Sequence, residues 1–254
     1  MIKQTKNRGL TKTGIEYGHS CFNSIIGCRH DCPWACWARD VATTRHASKY
    51  GEDFGDIQFF PDRLEQPMHT KKPQRVLVNF MGDMWGDWVF TDWIARTLNA
   101  CEKAPWHHYL FLTKNPKRYG DFMQEAPFGF EIVRTNARPW LGTSVESVEK
   151  IGRLDDLINA TEKARALRWV SLEPLLGNPI DRSLESKLFH MDWIVIGALT
   201  GKQPKQPEKE WVDWLVQLCK DYNIPYFLKD NLKFEALGIK KVQQYPNGFK
   251  KIVE

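Results

Sequence analysis

The order of apolar segments along the chain predicts an α/β fold with parallel strands, a partial (β/α) barrel of the TIM type, in a single domain over residues 1–254. Three observations carry this. Short runs rich in Val, Ile, Leu, Phe and Trp recur, each closed by polar or Gly residues, as strands buried on both faces do. Segments with helical spacing alternate with them, and that alternation calls for crossovers joining parallel strands. The runs also end in polar, chemically capable side chains, at the edge where parallel α/β folds hold their ligands.

The first strand is placed at 15–20, ahead of a cysteine-rich loop at 27–39. The second is 75–80, followed by Trp93, Ile94, Thr97, Leu98 and Cys101 at helical spacing. Strands at 109–113 and 140–145 come next, then a helix on Ile151, Leu154, Leu157 and Ile158. Strands at 168–172 and 193–197 precede a helix on Trp211, Trp214, Leu215 and Leu218, and 226–229 is the last strand. Stretches 66–74, 134–139 and 201–210 are charged or Pro-rich and read as surface connections. The alternation alone admits a doubly wound sheet or a full or partial barrel, and about seven strands is close to what a partial barrel needs.

With 42% apolar and 26% charged residues the composition is globular, which excludes disorder and collagen-like structure. No run approaches the roughly 18 apolar residues of a spanning helix, and the start MIKQTKNRGL has no apolar signal core. The expectation is a soluble, cytoplasmic protein without a membrane partner. The net charge of +5 is spread along the chain and permits an anionic partner without demanding one.

The strand ends supply Asn79, Met81, Gly82 and Asp83, then Thr113 and Lys114, Ser144 and Glu146, Ser171 and Glu173, Gly197 with Thr200, and finally Lys229 and Asp230. In a parallel sheet these converge on one rim, which reads as a ligand site. Gly82 lets a ligand approach the backbone, and Asp83 can accept from an ammonium or a hydroxyl.

Cys28, Cys32 and Cys36 stand at regular spacing directly after the first strand. Three soft thiolates on a short loop suit zinc or an iron–sulfur cluster. A structural zinc wants a fourth ligand, for which Cys21 or His30 is available, whereas a [4Fe-4S] cluster held by three Cys keeps one iron open. Cys21 reads as core rather than ligand, and Cys101 and Cys219 lie on apolar helical faces as packing residues. His107 and His108 are adjacent, so on a strand they point to opposite sides and make a poor metal pair.

The pattern Asn23, Gly27-Cys28, His30, Cys32-Pro33, Cys36, Ala38-Arg39 resembles the cluster loop of radical S-adenosylmethionine (SAM) enzymes, particularly those like spore photoproduct lyase. The stretches VLVNFMGDMWGDWV, HHYLFLTKNPKRY, WLGTSVES, RWVSLEPLLG, DWIVIGALTG and IPYFLKD resemble the phage-encoded three-cysteine-motif proteins named for phage gene products thirty-seven and sixty-eight. The resemblance implies a partial TIM-type barrel holding a [4Fe-4S] cluster on Cys28, Cys32 and Cys36. SAM would chelate the open iron and yield a 5′-deoxyadenosyl radical that abstracts hydrogen from a substrate. By position, Gly82 and Asp83 match the motif that holds the SAM amino group. Ser144, Glu146 and Glu173 fall where ribose and carboxylate contacts are made, and Trp37 lies near the adenine. The resemblance also implies an electron donor of flavodoxin or ferredoxin type and a methyltransferase-like partner protein.

The common loop has three residues and then two between its cysteines. Here there are three and three, with Ala35 rather than an aromatic before Cys36 and Trp34 one place earlier. That departure keeps open a second class of function, a zinc or iron–sulfur protein whose barrel binds a ligand or partner without radical chemistry. Eleven Trp interspersed with Lys and Arg suit a nucleic acid or nucleotide substrate through stacking and phosphate contacts. The sequence singles out no catalytic hydrogen-donating side chain.

Overall fold

The structure is a computed structural model and describes residues 9–125, 139–162, 164 and 166–247. Its strands are β1 (Thr11–Lys12), β2 (Ser20–Phe22), β3 (Ile25–Ile26), β4 (Gln58–Phe59) and β5 (Arg75–Val78). Then come β6 (His108–Thr113), β7 (Trp140–Ser144), β8 (Leu167–Leu172), β9 (Trp193–Ile196) and β10 (Tyr226–Leu228). Three one-turn helices, α1 (Trp37–Asp40), α2 (Ala47–Tyr50) and α3 (Gln66–His69), lie between β3 and β5. The crossovers carry α4 (Thr91–Glu102), α5 (Lys117–Glu125), α6 (Gly152–Thr161), α7 (Arg182–Leu188) and α8 (Lys209–Asp221), and α9 (Phe234–Leu237) follows the last strand.

The main sheet runs β1-β2-β5-β6-β7-β8-β9-β10, and every neighbour from β2 to β10 is parallel. This is the α/β order the sequence predicts, with an α-helix among the described residues of each crossover from β5 onward. Among the described residues β10 does not pair back to β1 or β2, so the barrel stays open. Residues 242–245 cover the β10 edge instead: Leu228 N donates to Val242 O at 2.8 Å and Gln244 N to Tyr226 O at 2.9 Å. No helix is long and apolar enough to cross a membrane among the described residues.

Two expectations are corrected. The first strand of the parallel run is β2, which begins where the predicted 15–20 ends. Residues Ile15 to Gly18 form a turn closed by Gly18 N on Ile15 O at 3.0 Å, and Tyr17, 2% exposed, packs against the barrel's inner residues. A Cβ on Gly18 would stand 2.7 Å from the Leu77 side chain, so the turn needs glycine. Ile15 and Tyr17 are apolar because they stopper the barrel, not because they lie in a strand. The connection at 66–74 contains α3, with Pro67 in its first turn where a missing N–H costs nothing. The predicted connection 134–139 lies outside the described residues except for its last position.

Side chains alternate along each strand, giving two apolar layers. Val76, Val78, Phe111, Leu141, Val170, Ile194 and Ile196 face the helices and meet Ile94, Leu98, Tyr119, Phe122, Leu154, Leu157 and Leu215. Leu77, Leu110, Trp140, Trp169, Trp193, Val195 and Phe227 form the inner cluster with Tyr17. Tyr17 meets Trp169, Trp193 and Phe227 edge-on at 5.9, 5.5 and 5.8 Å between ring centroids. Each such ring removes about 150–250 Å² from water, so one end of the barrel is packed shut.

Candidate functional site

The inner positions taper toward the C-terminal ends of the strands. Along β7 they read Trp140, Gly142, Ser144; along β8 and just past it Trp169, Ser171, Glu173; along β9 and just past it Trp193, Val195, Gly197. Gly142 is required because the Trp169 indole lies across it, within contact distance of any added Cβ. The Trp169 Nε1–H donates to Phe111 O at 3.0 Å. Large rings at one end and small or polar groups at the other leave a cavity of about 730 Å³ at the mouth. That lies within the roughly 300–1,000 Å³ of small-molecule sites.

The cysteine loop enters this mouth from β3. Asn79 takes a left-handed φ of +56°, which Asn tolerates, and its Oδ1 accepts from Ile25 N at 2.9 Å, tying β3 to the end of β5. Gly27 has φ +108° and bridges to Gly82, where a Cβ would strike the Gly27 backbone. Cys28 N then donates to Phe54 O at 2.9 Å. The thiols of Cys28, Cys32 and Cys36 are free and half-buried, and all three residues line the cavity. Burial, and then the Asp83 carboxylate, pushes the Cys28 thiol up to about 12. Burial also raises Cys32, against the opposing pull of Lys114. A metal arriving here must displace thiol protons.

Asp83 is 5% exposed. Its Oδ2 meets His30 Nε2 at 2.8 Å and accepts from Thr113 Oγ1 at 2.9 Å and Lys114 N at 3.0 Å. Burial works to raise this carboxyl, but the hydrogen bond and charge of His30 and the donors from Lys114 and Thr113 hold it below the usual range.

Two charged groups flank the cavity. On one side the Glu146 carboxylate, 2% exposed, pairs with Lys114 through Oε1 and with Arg153 Nη1 through Oε2 at 2.8 Å. Arg153 also donates to Ser144 O at 2.8 Å, and Lys114 Nζ lies over the Trp34 ring at 5.1 Å. Burial lowers the Lys114 ammonium to about 8. On the other side Glu173 Oε1 accepts from Lys229 Nζ at 2.6 Å and Asn231 Nδ2 at 2.8 Å, and Glu16 Oε2 is 3.7 Å from the same ammonium. Gly197 makes the room: a Cβ there would stand 3.0 Å from the Glu173 side chain.

Of the residues singled out from sequence, Cys28, Cys32, Cys36, Trp37, Gly82, Asp83, Ser144 and Glu173 line one cavity. Glu146 is sealed behind its two cations and does not. Cys101 and Cys219 are buried in the outer core, and Cys21, on β2, packs against the inner cluster and is not part of the cavity lining. The two adjacent histidines go separate ways. His107 is buried, its Nδ1 accepting from Gln74 N and its Nε2 donating to Pro67 O, while His108 begins β6. Sequence reasoning placed Lys114 and Lys229 at the rim without making them site residues, although their position directly after a strand was the same signal used for the others. Arg153, Trp34 and Asn231 carried no such signal.

The donor set bears on which metal fits. Among the described residues no group of three or more His, Cys, Asp or Glu side chains converges on a single ion position. A mononuclear zinc needs every sulfur about 2.3 Å from one point, whereas a cluster takes each thiolate on a separate iron. With His30 engaged by Asp83, three thiols spread along a cavity wall fit the cluster better.

These features define a mixed α/β fold with a mostly parallel sheet, compatible with a partial barrel, and a cysteine loop across the cavity at the C-terminal ends of its strands. Solved structures share the fold. Spore photoproduct lyase complexed with dinucleoside spore photoproduct superposes with a TM-score of 0.56 at 9% identity, over 88% of this chain and 79% of that one. A spore photoproduct lyase mutant with one tyrosine replaced by phenylalanine gives 0.56 at 10% identity, over the same shares. No curated protein matches in sequence. A family model described as a protein of unknown function, DUF5131, matches residues 12–250, and the chain belongs to that family.

Proposed function

We propose that the protein is a radical SAM enzyme that holds a [4Fe-4S] cluster on Cys28, Cys32 and Cys36 with SAM beside it. The observation that carries this reading is the presence of three free thiols on one loop in the same cavity as Gly82, Ser144 and Glu173. When bound, the pair supplies hydrogen-atom abstraction through a 5′-deoxyadenosyl radical.

The chain's own residues hold and shield these groups. Gly82, without a Cβ, lets the Gly27 backbone of the cysteine loop close against the end of β5, and Asp83 orders that turn from behind. Lys114 offers a positive charge to a carboxylate, and Glu146 acts through it: the buried carboxylate fixes Lys114 and Arg153 while leaving a net charge of about +1 on the trio. Ser144 offers a hydroxyl, and Trp37, 46% exposed beside Cys36, offers a ring face. Glu173 is held by Lys229 and Asn231 on the far wall, where it contacts the cofactor's ribose or the substrate. The indole floor keeps water from the inner end, as reactive intermediates require.

The substrate class this reading favours is a nucleic acid or nucleotide. The partners are an electron donor of flavodoxin or ferredoxin type and a methyltransferase-like protein.

The test is anaerobic purification and iron–sulfide reconstitution, then reduction with SAM, assay for 5′-deoxyadenosine and low-temperature paramagnetic resonance before and after SAM. A four-iron signal that shifts with SAM, with 5′-deoxyadenosine formed, upholds the reading. A cluster indifferent to SAM, or one oxygen-resistant zinc per chain, replaces it with a ligand-binding module.

A further inference from the structure

We infer that His30 and Asp83 form a latch that fixes the cysteine loop to the end of β5, and that Asp83 serves the site by holding this loop rather than by touching a ligand. The inference rests on the reading of Cys28, Cys32 and Cys36 as ligands.

His30 lies midway between Cys28 and Cys32, so its position governs both thiols. Its Nε2 reaches Asp83 Oδ2 at 2.8 Å, and its ring is steadied edge-on by Trp88 at 4.8 Å between centroids. The same Oδ2 accepts from Thr113 Oγ1 and the Lys114 amide, and Oδ1 accepts from Trp85 N at 3.0 Å. A carboxylate has about four lone-pair sites. Three donors fill Oδ2 and Trp85 N takes one of the two sites on Oδ1, so most of the acceptor capacity of Asp83 is spent inside the protein and its work is to hold the loop.

The rest of the loop is held by packing, with Lys114 Nζ over the Trp34 ring at 5.1 Å, more than by hydrogen bonds. Gly27 N donates to Met81 O and Gly27 O accepts from Asp83 N, each at 3.2 Å, Cys28 N donates to Phe54 O, and Arg29 Nε donates to Gly55 O at 2.9 Å. From Asp31 to Ala35 the loop makes no hydrogen bond with any other described residue. His30 is thus the last point at which the loop is hydrogen-bonded to the barrel before Cys36, and its anchor is the carboxylate that also joins the ends of β5 and β6. A histidine between cysteines suggests a metal ligand in the sequence. In the fold its ring is committed to a buried acid.

The experiment is timed alkylation of the metal-free protein with iodoacetamide under anaerobic conditions, read site by site by peptide mass spectrometry, with iron content measured after reconstitution. His30→Ala is expected to speed alkylation of Cys28 and Cys32 about tenfold, the factor carried by one hydrogen bond to a charged group. Cys101 and Cys219 stay protected and iron uptake falls. His30→Gln, whose amide can donate to Asp83, recovers both. His30→Phe keeps the ring against Trp88 without the donor and is expected to behave as His30→Ala. It carries the test if the alanine variant exposes the core thiols. Unchanged rates at Cys28 and Cys32 in His30→Phe overturn the latch. A wild-type protein that takes up no iron while His30→Phe still loosens the thiols refutes the cluster reading and upholds the latch.

Discussion

Glu173 and Lys229 are paired at 2.6 Å across the mouth of the barrel, one from the end of β8 and the other from the end of β10. β9 lies between those strands, and its end contributes Gly197, the residue that makes space for the bridge. Lys229→Met leaves the carboxylate with Asn231 alone. The side chains are 12% and 21% exposed, so the cost is below that of a fully buried pair, about 1–3 kcal/mol by urea unfolding. The double variant Lys229→Met with Glu173→Leu is expected to recover most of it. Equal loss in both variants would show the ammonium matters for something other than Glu173.

Gly82→Ala places a methyl group against the Gly27 backbone, which can yield only by moving the cysteine loop. Iron uptake is expected to fall several-fold in reconstitution, with a small change in melting temperature. Gly142→Ala is the contrasting case. Its methyl group strikes the Trp169 ring inside the packed floor, so its cost is stability, about 1–3 kcal/mol. Comparison of iron content with thermal unfolding for the two variants separates loop from floor.

Acid sensitivity should trace in part to His108. Burial, then the charges of Arg75 and His107, lowers its pKa to about 4. The unfolded chain binds this proton below about 6.5 and the folded one only below about 4, so stability falls as pH drops through that window and is unaffected above it. His108→Gln is expected to flatten the stability profile between those limits by about 1–2 kcal/mol, measured by denaturant unfolding at stepped pH. An unchanged slope would assign the loss to His19 and His107, which burial shifts in the same direction.

Cysteine replacements divide the six thiols into two sets. Cys28→Ala, Cys32→Ala and Cys36→Ala are each expected to lose the four-iron signal after reconstitution. Cys21→Ala is expected to retain it and to unfold more easily by about 1 kcal/mol from lost packing. Iron lost from the Cys21 variant alone would move the ligand set onto β2.

The strands from β5 to β10 were legible because parallel strands covered on both faces must be apolar throughout, whereas the equally apolar α8 interrupts its Trp, Val and Leu with polar residues at helical spacing. The rim was legible for the same topological reason: Gly82, Ser144 and Glu173 each follow such a run. Tyr17 was misread because an apolar residue in a turn that plugs a barrel looks, in one dimension, like an apolar residue in a strand. The role of Glu146 was hidden because its burial depends on Arg153, which a helical turn brings back to it, and sequence distance carries no trace of that return. His30 was legible as a residue of the loop but not as a partner of Asp83, a contact that spans 53 positions.

The floor of Trp140, Trp169, Trp193 and Tyr17 has a kinetic corollary. A cavity closed at its inner end is a cul-de-sac, and occupants of a cul-de-sac queue. If two ligands share this cavity, as the proposed reading requires, the one that sits deeper must enter first and leave last, and exchange of the inner one waits on the outer.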